Sequence, residues 1–142
     1  MNNPIIIEYV INTPVHRAWR ALTDKNEMKR WYFDIPDFEP KEGHIFNFYE
    51  SGDSKKYHHQ GEILEMIPDQ KLKYTWTYPD FTKEKTIVSW ELKPEDGGTK
   101  LILTHENIES FKNLGENFSR ENFIEGWNMI IRKNLKSYLE NE

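Results

Sequence analysis

One amphipathic helix pattern runs through the C-terminal end of the chain, from about Arg120 to Leu139. Such a helix is roughly 30 Å long at about 1.5 Å per residue, which is enough to cross a small sheet. A helix with one apolar stripe has to cover an apolar surface elsewhere in the chain, and a sheet wrapped around it can leave a ligand-sized hollow. The stripe consists of Phe123, Trp127, Ile130, Ile131, Leu135 and Tyr138.

The chain before this helix is mostly typical of β-strands. β-branched residues predict a first strand at Ile5–Ile11, and five more strands are predicted at residues 44–50, 57–67, 71–78, 85–93 and 99–107. Turn-forming residues separate them, among them Ser51-Gly52-Asp53 and Gly97-Gly98. Short separators of this kind favour antiparallel neighbours.

Capping residues mark the helix starts. Thr13-Pro14 predicts a helix with Thr13 as its N-cap, and Asp24-x-x-Glu27 predicts a capping box for a second short helix. Ser119 is expected to cap the long C-terminal helix. The expected order is therefore a strand, two short helices, five strands and a long helix, which is an α+β fold.

Alternation along three of the predicted strands separates an apolar face from a largely polar one. A half-covered antiparallel sheet has this pattern, and its apolar face is the surface that the helix stripe has to meet. The inward residues are expected to be Leu72, Tyr74, Trp76 and Tyr78, then Thr86, Val88, Trp90 and Leu92, and finally Leu101, Leu103 and His105.

Composition narrows the class of protein. At 142 residues the chain is expected to form one domain, 1–142, and its net charge of -5 without a basic stripe argues against nucleic acid and anionic membrane surfaces as partners. No apolar run reaches membrane-spanning length, so no membrane insertion is expected. The first residues do not resemble a signal peptide, and the expected location is cytoplasmic.

The sequence also lacks the common catalytic and metal-binding patterns. It has no cysteine, which excludes disulfides and thiolate chemistry. Its five histidines have no convergent spacing, and it has neither a nucleophile elbow nor a glycine-rich phosphate loop. No metal and no cofactor are therefore expected.

A resemblance to a known family covers nearly the whole chain. The chain resembles the START-like (SRPBCC, birch-pollen-allergen-like) superfamily, and within it the family named after the activator of the heat-shock-protein-90 ATPase. The similar stretches, in the family's order, are Thr13-Pro14, Trp19 to Asp24, Trp31, Gly43 with Phe46 and Phe48, Gly61 to Glu65, Pro68, Lys71-Leu72, Tyr74 to Trp76, Thr86 to Val88, Trp90 to Leu92, Gly97 to Leu101, Leu103 to His105, and Gly126-Trp127.

This resemblance implies a helix-grip fold, in which a curved antiparallel sheet of about six strands wraps around the C-terminal helix and a cavity lies between them. Members of the superfamily bind lipids, hormones or polyketides, some are cyclases, and many have no assigned activity. The chaperone activator itself carries an additional domain, which a chain of this length is not expected to include.

Large aromatic side chains are the candidate cavity walls, because aromatics are 14% of the chain. Gly126 lies inside the helix pattern, where it removes side-chain volume beside Trp127. His105, on the inward face, is a candidate hydrogen-bond donor or base. The polar connector at 108–118 is a candidate lid. The expected ligand-binding residues are Trp31, Phe46, Phe48, Tyr74, Trp76, Trp90, His105 and Trp127.

Three functions remain open on these grounds. The first is non-catalytic binding of a small hydrophobic or aromatic molecule, lipid-like or polyketide-like, in the cavity. The second is a cyclase or aromatase of the polyketide type, with His105 or a tyrosine handling protons. The third is a protein-interaction role resembling that of the chaperone activator. The sequence leaves monomer and homodimer open.

Overall fold

A single antiparallel sheet forms the frame of the molecule. The structure is a computed structural model that describes residues 3–49 and 57–140, and six strands lie within those ranges. They are β1 (Ile5–Ile11), β2 (Ile45–Tyr49), β3 (His58–Ile67), β4 (Lys71–Trp76), β5 (Thr86–Glu95) and β6 (Gly98–Glu106). The order is β1-β6-β5-β4-β3-β2, with each neighbouring pair antiparallel. The predicted α+β fold with an antiparallel sheet of about six strands is confirmed.

The helices also follow the predicted order. Two short helices, α1 (Val15–Thr23) and α2 (Lys25–Trp31), come between β1 and β2. Two 3-10 turns, Ile108–Phe111 and Glu116–Phe118, follow β6. The C-terminal helix then runs as α3 (Arg120–Asn128), a π-helical segment (Met129–Leu135) and α4 (Lys136–Glu140).

Local capping explains most of these boundaries. Asp24 accepts a hydrogen bond from the Asn26 amide, and Ser119 accepts one from the Asn122 amide at 3.2 Å, so both predicted caps are confirmed. The predicted Thr13 cap is wrong. Helix α1 begins one residue later, with Pro14 at the N-cap, and the Thr13 carbonyl instead accepts a hydrogen bond from the Thr99 hydroxyl at 2.7 Å.

Glu27 does not close the predicted capping box. Its carboxylate instead binds Arg17 at 2.6 Å and Arg20 at 2.8 Å, both on α1. The Tyr138 hydroxyl also donates to Glu27 at 2.9 Å. The carboxylate therefore joins α1, α2 and the end of the C-terminal helix, and these stronger charge-assisted bonds outcompete a local cap.

The turn between β5 and β6 is a two-residue hairpin. Glu95 pairs with Gly98, which leaves Asp96 and Gly97 as the loop. Both have positive φ, 46° and 82°, the combination that a type I′ turn requires. Gly97-Gly98 is thus part of a hairpin turn, as predicted. The predicted turn at Ser51-Gly52-Asp53 lies outside the described residues.

The apolar faces meet as the alternation predicts. All the inward residues expected on β4, β5 and β6 are buried in one core, and Trp76, Trp90 and His105 contact Trp127 of the C-terminal helix. The helix stripe itself shifts at its end, because Leu139 is buried where Tyr138 was expected, and Ile130 is only half-buried. The π-helical segment has wider turns than an α-helix and so changes the phase of the stripe.

A chain of hydrogen bonds ties the helix to three strands. Trp127 Nε1 donates to His105 Nδ1 on β6 at 3.0 Å. His105 Nε2 lies 2.8 Å from the Thr86 hydroxyl on β5, which donates to the carbonyl of Trp76 on β4 at 2.8 Å. Since the Thr86 proton goes to the carbonyl, His105 Nε2 carries the ring proton. Every polar atom of this buried chain is therefore satisfied.

Two arginines of the C-terminal helix bind backbone carbonyls in β1 and just before it. Arg120 donates to the carbonyls of Asn3 and Pro4, and Arg132 donates to that of Glu8. These bonds fasten the C-terminal helix to the N-terminal strand. None of the helices in the described ranges combines the length and the hydropathy that a bilayer crossing requires.

Trp127→Ala is expected to lower the free energy of unfolding by about 3–5 kcal/mol, because it removes a buried indole and leaves His105 Nδ1 without its donor. Trp127 is 2% exposed. Met129→Ala on the same helix is the control, since Met129 is 58% exposed and its truncation should change stability by less than about 1 kcal/mol. Urea unfolding curves measure both, and a loss below about 1 kcal/mol for Trp127→Ala would contradict the anchoring role.

Candidate ligand-binding cavity

A cavity of about 440 Å³ lies between the concave face of the sheet and the first half of the C-terminal helix. It is partly open to solvent. Its volume falls in the range of roughly 300–1,000 Å³ that small-molecule sites occupy. The walls come from the chain after α2, from β3 and β4 with one residue beside each, and from the C-terminal helix with the 3-10 turn before it. They are Phe33, Tyr57, His59, Trp76, Tyr78, Phe118, Asn122, Phe123, Gly126, Trp127 and Ile130.

Burial divides these residues into a floor and a rim. The floor is made of the buried members, which are His59, Trp76, Tyr78, Phe118, Phe123 and Trp127. The rim is made of the exposed and half-buried members, which are Phe33, Tyr57, Asn122, Gly126 and Ile130. The floor is therefore almost wholly aromatic, and the opening lies beside the helix.

Helical spacing places three rim residues on one line. Asn122, Gly126 and Ile130 are four residues apart on the C-terminal helix and border the cavity together. A Cβ atom built at Gly126 meets no heavy atom within 4 Å. Close helix–sheet packing therefore does not account for this glycine, and its missing side chain leaves space at the rim.

The lining carries no formal charge. Of the residues around this cavity in the described part of the chain, none is Asp, Glu, Lys or Arg, and the polar members are Tyr57, His59, Tyr78 and Asn122. No group of three or more His, Asp or Glu side chains suited to a metal ion occurs within residues 3–49 and 57–140. The arrangement can enclose an uncharged apolar molecule and offer it a few hydrogen bonds.

His59 is the histidine of the floor, and its ring is held neutral. Burial lowers its pKa from 6.5 to about 4. Its Nδ1 lies 3.0 Å from the carbonyl of Tyr57, and since a carbonyl only accepts, Nδ1 carries the proton. Nε2 is then an acceptor. The ring is stacked on Phe48 with centroids 4.6 Å apart and lies edge-on to Trp76 at 5.3 Å.

The eight sequence-predicted ligand-binding residues divide into two groups. Trp76 and Trp127 lie on the cavity floor. The other six are buried but lie behind the cavity rather than on its surface: Trp31, Phe46, Phe48, Tyr74, Trp90 and His105. Alternation identifies the face of the sheet on which a residue lies, but it does not identify how far along that face the helix leaves a gap.

The residues behind the cavity form a packed aromatic core. Trp31 lies edge-on to Trp90 at 5.8 Å, and Trp90 Nε1 donates to the Tyr74 hydroxyl at 2.9 Å. Tyr74 is also 2.7 Å from the Tyr32 hydroxyl. Burial raises the pKa of Tyr74 to about 12 and raises that of Tyr32 well above its usual value, so both stay protonated. These groups support the floor and do not exchange protons near neutral pH.

His105 lies behind the cavity floor. It is completely buried behind Trp127, and both ring nitrogens are engaged in the hydrogen-bond chain described above. Burial lowers its pKa to about 3, so it is neutral at physiological pH. His105 is absent from the described lining of this cavity and is hydrogen-bonded to Trp127, so its expected role as a donor or base stays a prediction.

Several lining residues were missed at the sequence level. Tyr78 was assigned to the inward face, and His59 follows from the same alternation on β3, so a pattern for both existed. The i, i+4 relation of Asn122 to Gly126 also marks the rim. Phe33 and Tyr57 lie outside the regular elements, and their positions depend on tertiary packing.

The connector at 108–118, the candidate lid, is packed against the rest of the protein through its apolar residues. Ile108 and Phe111 are buried, and Phe118 lies on the cavity floor. Phe118 also contacts Tyr57 and Phe81 at ring distances of 5.4 and 5.6 Å. The connector is thus held by these three apolar residues, while Glu109, Lys112, Asn113 and Glu116 are exposed.

An open antiparallel sheet of six strands with one long C-terminal helix defines a helix-grip protein of the START-like class. Within that class, the family model for activator of Hsp90 ATPase homolog 1-like proteins matches residues 12–140, and the chain belongs to this family. The resemblance inferred from the sequence is confirmed.

Solved structures agree in fold. Protein MLL2253 from Mesorhizobium loti is 25% identical, with 98% of each chain covered and a TM-score of 0.79. CalU16 from Micromonospora echinospora is 27% identical over 97% of this chain and 76% of its own, with a TM-score of 0.73. The Aha1 dimer from Colwellia psychrerythraea is 20% identical over 97% of this chain and 96% of its own, with a TM-score of 0.75. A comparison with curated proteins gives no match.

The two buried histidines predict a loss of stability in acid. Their folded pKa values, about 4 for His59 and about 3 for His105, lie below the usual 6.5, so the unfolded chain takes up protons first as pH falls. Their stabilisation is complete above about pH 6.5 and is lost as pH falls toward the folded values. Each histidine should lower the free energy of unfolding by about 2 kcal/mol between about pH 7 and pH 5.

Urea unfolding of the wild type and of His59→Phe at several pH values tests this expectation. The free energy of unfolding of the variant should depend on pH about half as strongly, because His105 is then the one remaining histidine of the buried pair. His58→Phe is the control, since His58 neighbours His59 in β3 but is hydrogen-bonded to Asn47 on the other face of the strand. Identical pH slopes in the wild type and His59→Phe would show that His59 is not buried as a neutral ring.

Proposed function

We propose that this protein binds a small hydrophobic or aromatic molecule, lipid-like or polyketide-like, in the cavity between the sheet and the C-terminal helix, without transforming it. The observation that carries the proposal is the partly open cavity of about 440 Å³ with an aromatic floor. An apolar molecule that enters it removes apolar surface from water on both sides, which is the main driving force for such binding.

The open rim favours a ligand-binding role for the aromatic floor rather than a role in core packing alone. Glycine within a helix is less favourable than alanine by roughly 1 kcal/mol. No neighbouring atom requires a glycine at position 126, because a Cβ built there meets no heavy atom within 4 Å. The floor rings are braced from behind by other rings, so the cavity does not close by simple side-chain rotation. Stability alone would favour filling this space.

A cyclase-type activity is the weaker alternative. Its sequence-level base, His105, is engaged on both ring nitrogens and lies behind Trp127. The floor offers a neutral histidine, His59, and one tyrosine, Tyr78, whose hydroxyl already accepts a hydrogen bond from Trp76 Nε1 at 2.9 Å. A chaperone-interaction role would be favoured by a filled interior, and a partly open cavity instead favours a ligand.

Gly126→Leu tests the proposal. The added side chain should narrow the opening, so that binding of apolar probes is lost while the fold is kept, because the position is helical and its Cβ meets no neighbour. Amide shifts are measured during titration with fatty acids, flavonoids and polyketide-like aromatics. In the wild type they should cluster on Tyr57, His59, Tyr78, Phe118 and residues 122–130.

Glu125→Leu is the matched control. It adds the same side chain at the adjacent, exposed helix position, which does not border the cavity, and should leave binding unchanged. Melting temperature and circular dichroism establish that both variants are folded. The proposal fails if no compound shifts the lining residues at millimolar concentration in the wild type, or if Gly126→Leu binds as well as Glu125→Leu.

A further inference from the structure

The chemistry of the cavity wall selects among apolar ligands. The described residues that line it include no Arg or Lys that would pair with a carboxylate and no Asp or Glu that would pair with an amine. A charged ligand group placed on the aromatic floor would lose its hydration without a partner, which is costly. The described floor therefore suits an uncharged part of a ligand, and a fatty-acid carboxylate would have to lie outside it, at the rim.

The hydrogen-bonding direction of His59 narrows the choice further. The ring is fixed between Phe48 and Trp76, and its Nδ1–H is used by the Tyr57 carbonyl. The remaining nitrogen, Nε2, has a lone pair and no proton, so this ring can only accept a hydrogen bond. A ligand hydroxyl that reaches it must act as the donor.

The shape of the floor favours a flat ligand. Trp76 and Trp127 lie 5.4 Å apart at 61°, and Phe123 and Tyr78 complete the wall around His59. Such faces and edges offer offset-stacked and edge-to-face contacts to a planar ring, which add to the burial of area. A flexible alkyl chain has to be ordered to fill the same space, at an entropic cost.

From these three features we infer that the preferred ligand is an uncharged planar aromatic molecule with a hydroxyl group, and that His59 is the specificity-determining residue that accepts its hydrogen bond. This inference rests on the proposed function, because it concerns the same cavity. To the proposed function it adds the class of ligand, the weaker binding of carboxylates, and the residue that accepts a hydrogen bond from the ligand hydroxyl.

Three probes of one ring size test the inference: 2-naphthol, naphthalene and 2-naphthoate. At neutral pH, 2-naphthol carries an uncharged hydroxyl, naphthalene carries no polar group, and 2-naphthoate carries a carboxylate. Their affinities are measured by amide-shift titration. We expect 2-naphthol to bind about tenfold more tightly than naphthalene, as one additional net hydrogen bond gives, and 2-naphthoate to bind more weakly than both.

Two His59 variants separate the hydrogen bond from packing. His59→Phe keeps a ring but removes the acceptor, so the preference for 2-naphthol over naphthalene should fall to about twofold or less. His59→Gln keeps an acceptor oxygen and should restore part of the preference. His58→Phe should leave it unchanged, because His58 does not line the cavity. The readout is the ratio of two affinities in each variant, which a general loss of stability does not change.

The outcomes distinguish this inference from the proposed function. If none of the three probes shifts the lining residues, the proposed binding function fails and this inference fails with it. If the probes bind but 2-naphthoate equals or exceeds 2-naphthol, or if His59→Phe keeps the full preference, the cavity binds ligands and only the inference is overturned. A preference that is lost in His59→Phe and partly restored in His59→Gln supports it.

Discussion

The hydrogen bond from Trp127 to His105 is the contact on which the rest of the structure depends. It joins the middle of the C-terminal helix to β6, and through Thr86 it continues to β5 and β4. Because each donor in this buried chain has one acceptor, the indole is held at a defined depth over the sheet. That depth determines how closely the helix approaches the strands on the side where Gly126 and Asn122 lie, and so it sets the size of the cavity.

The aromatic side chains have two roles that the structure separates in space. Toward Trp31 and Trp90 the rings interlock edge to face and leave no opening, whereas between His59 and Phe123 they form one side of a space. Large flat side chains suit both roles, because they are stiff and bury much area for few rotatable bonds. A core built from aliphatic residues of equal volume would collapse more readily into the cavity.

Electrostatics and burial act together in the same site. His59 and His105 are both neutral because burial penalises their charged forms, yet their protons sit on different nitrogens. In His105 the proton is on Nε2, because Nδ1 accepts from Trp127. In His59 it is on Nδ1, because the Tyr57 carbonyl accepts it. Both ring nitrogens of His105 are therefore used within the structure, whereas His59 keeps one nitrogen as an acceptor. Neither the residue type nor the position in a strand predicts this difference.

The sequence by itself determined the elements and their faces: β1 at Ile5–Ile11, the caps at Asp24 and Ser119, the inward residues of β4 to β6, and the helix that covers them. These follow from local rules, namely a period of two in strands, a period near 3.6 in helices and side chains that satisfy free amides. Only the tertiary structure decided which inward aromatics border empty space, that Phe33 and Tyr57 reach the same cavity, and that Glu27 binds two arginines instead of capping its helix. These depend on distances between segments far apart in the chain, and periodicity carries no information about such distances.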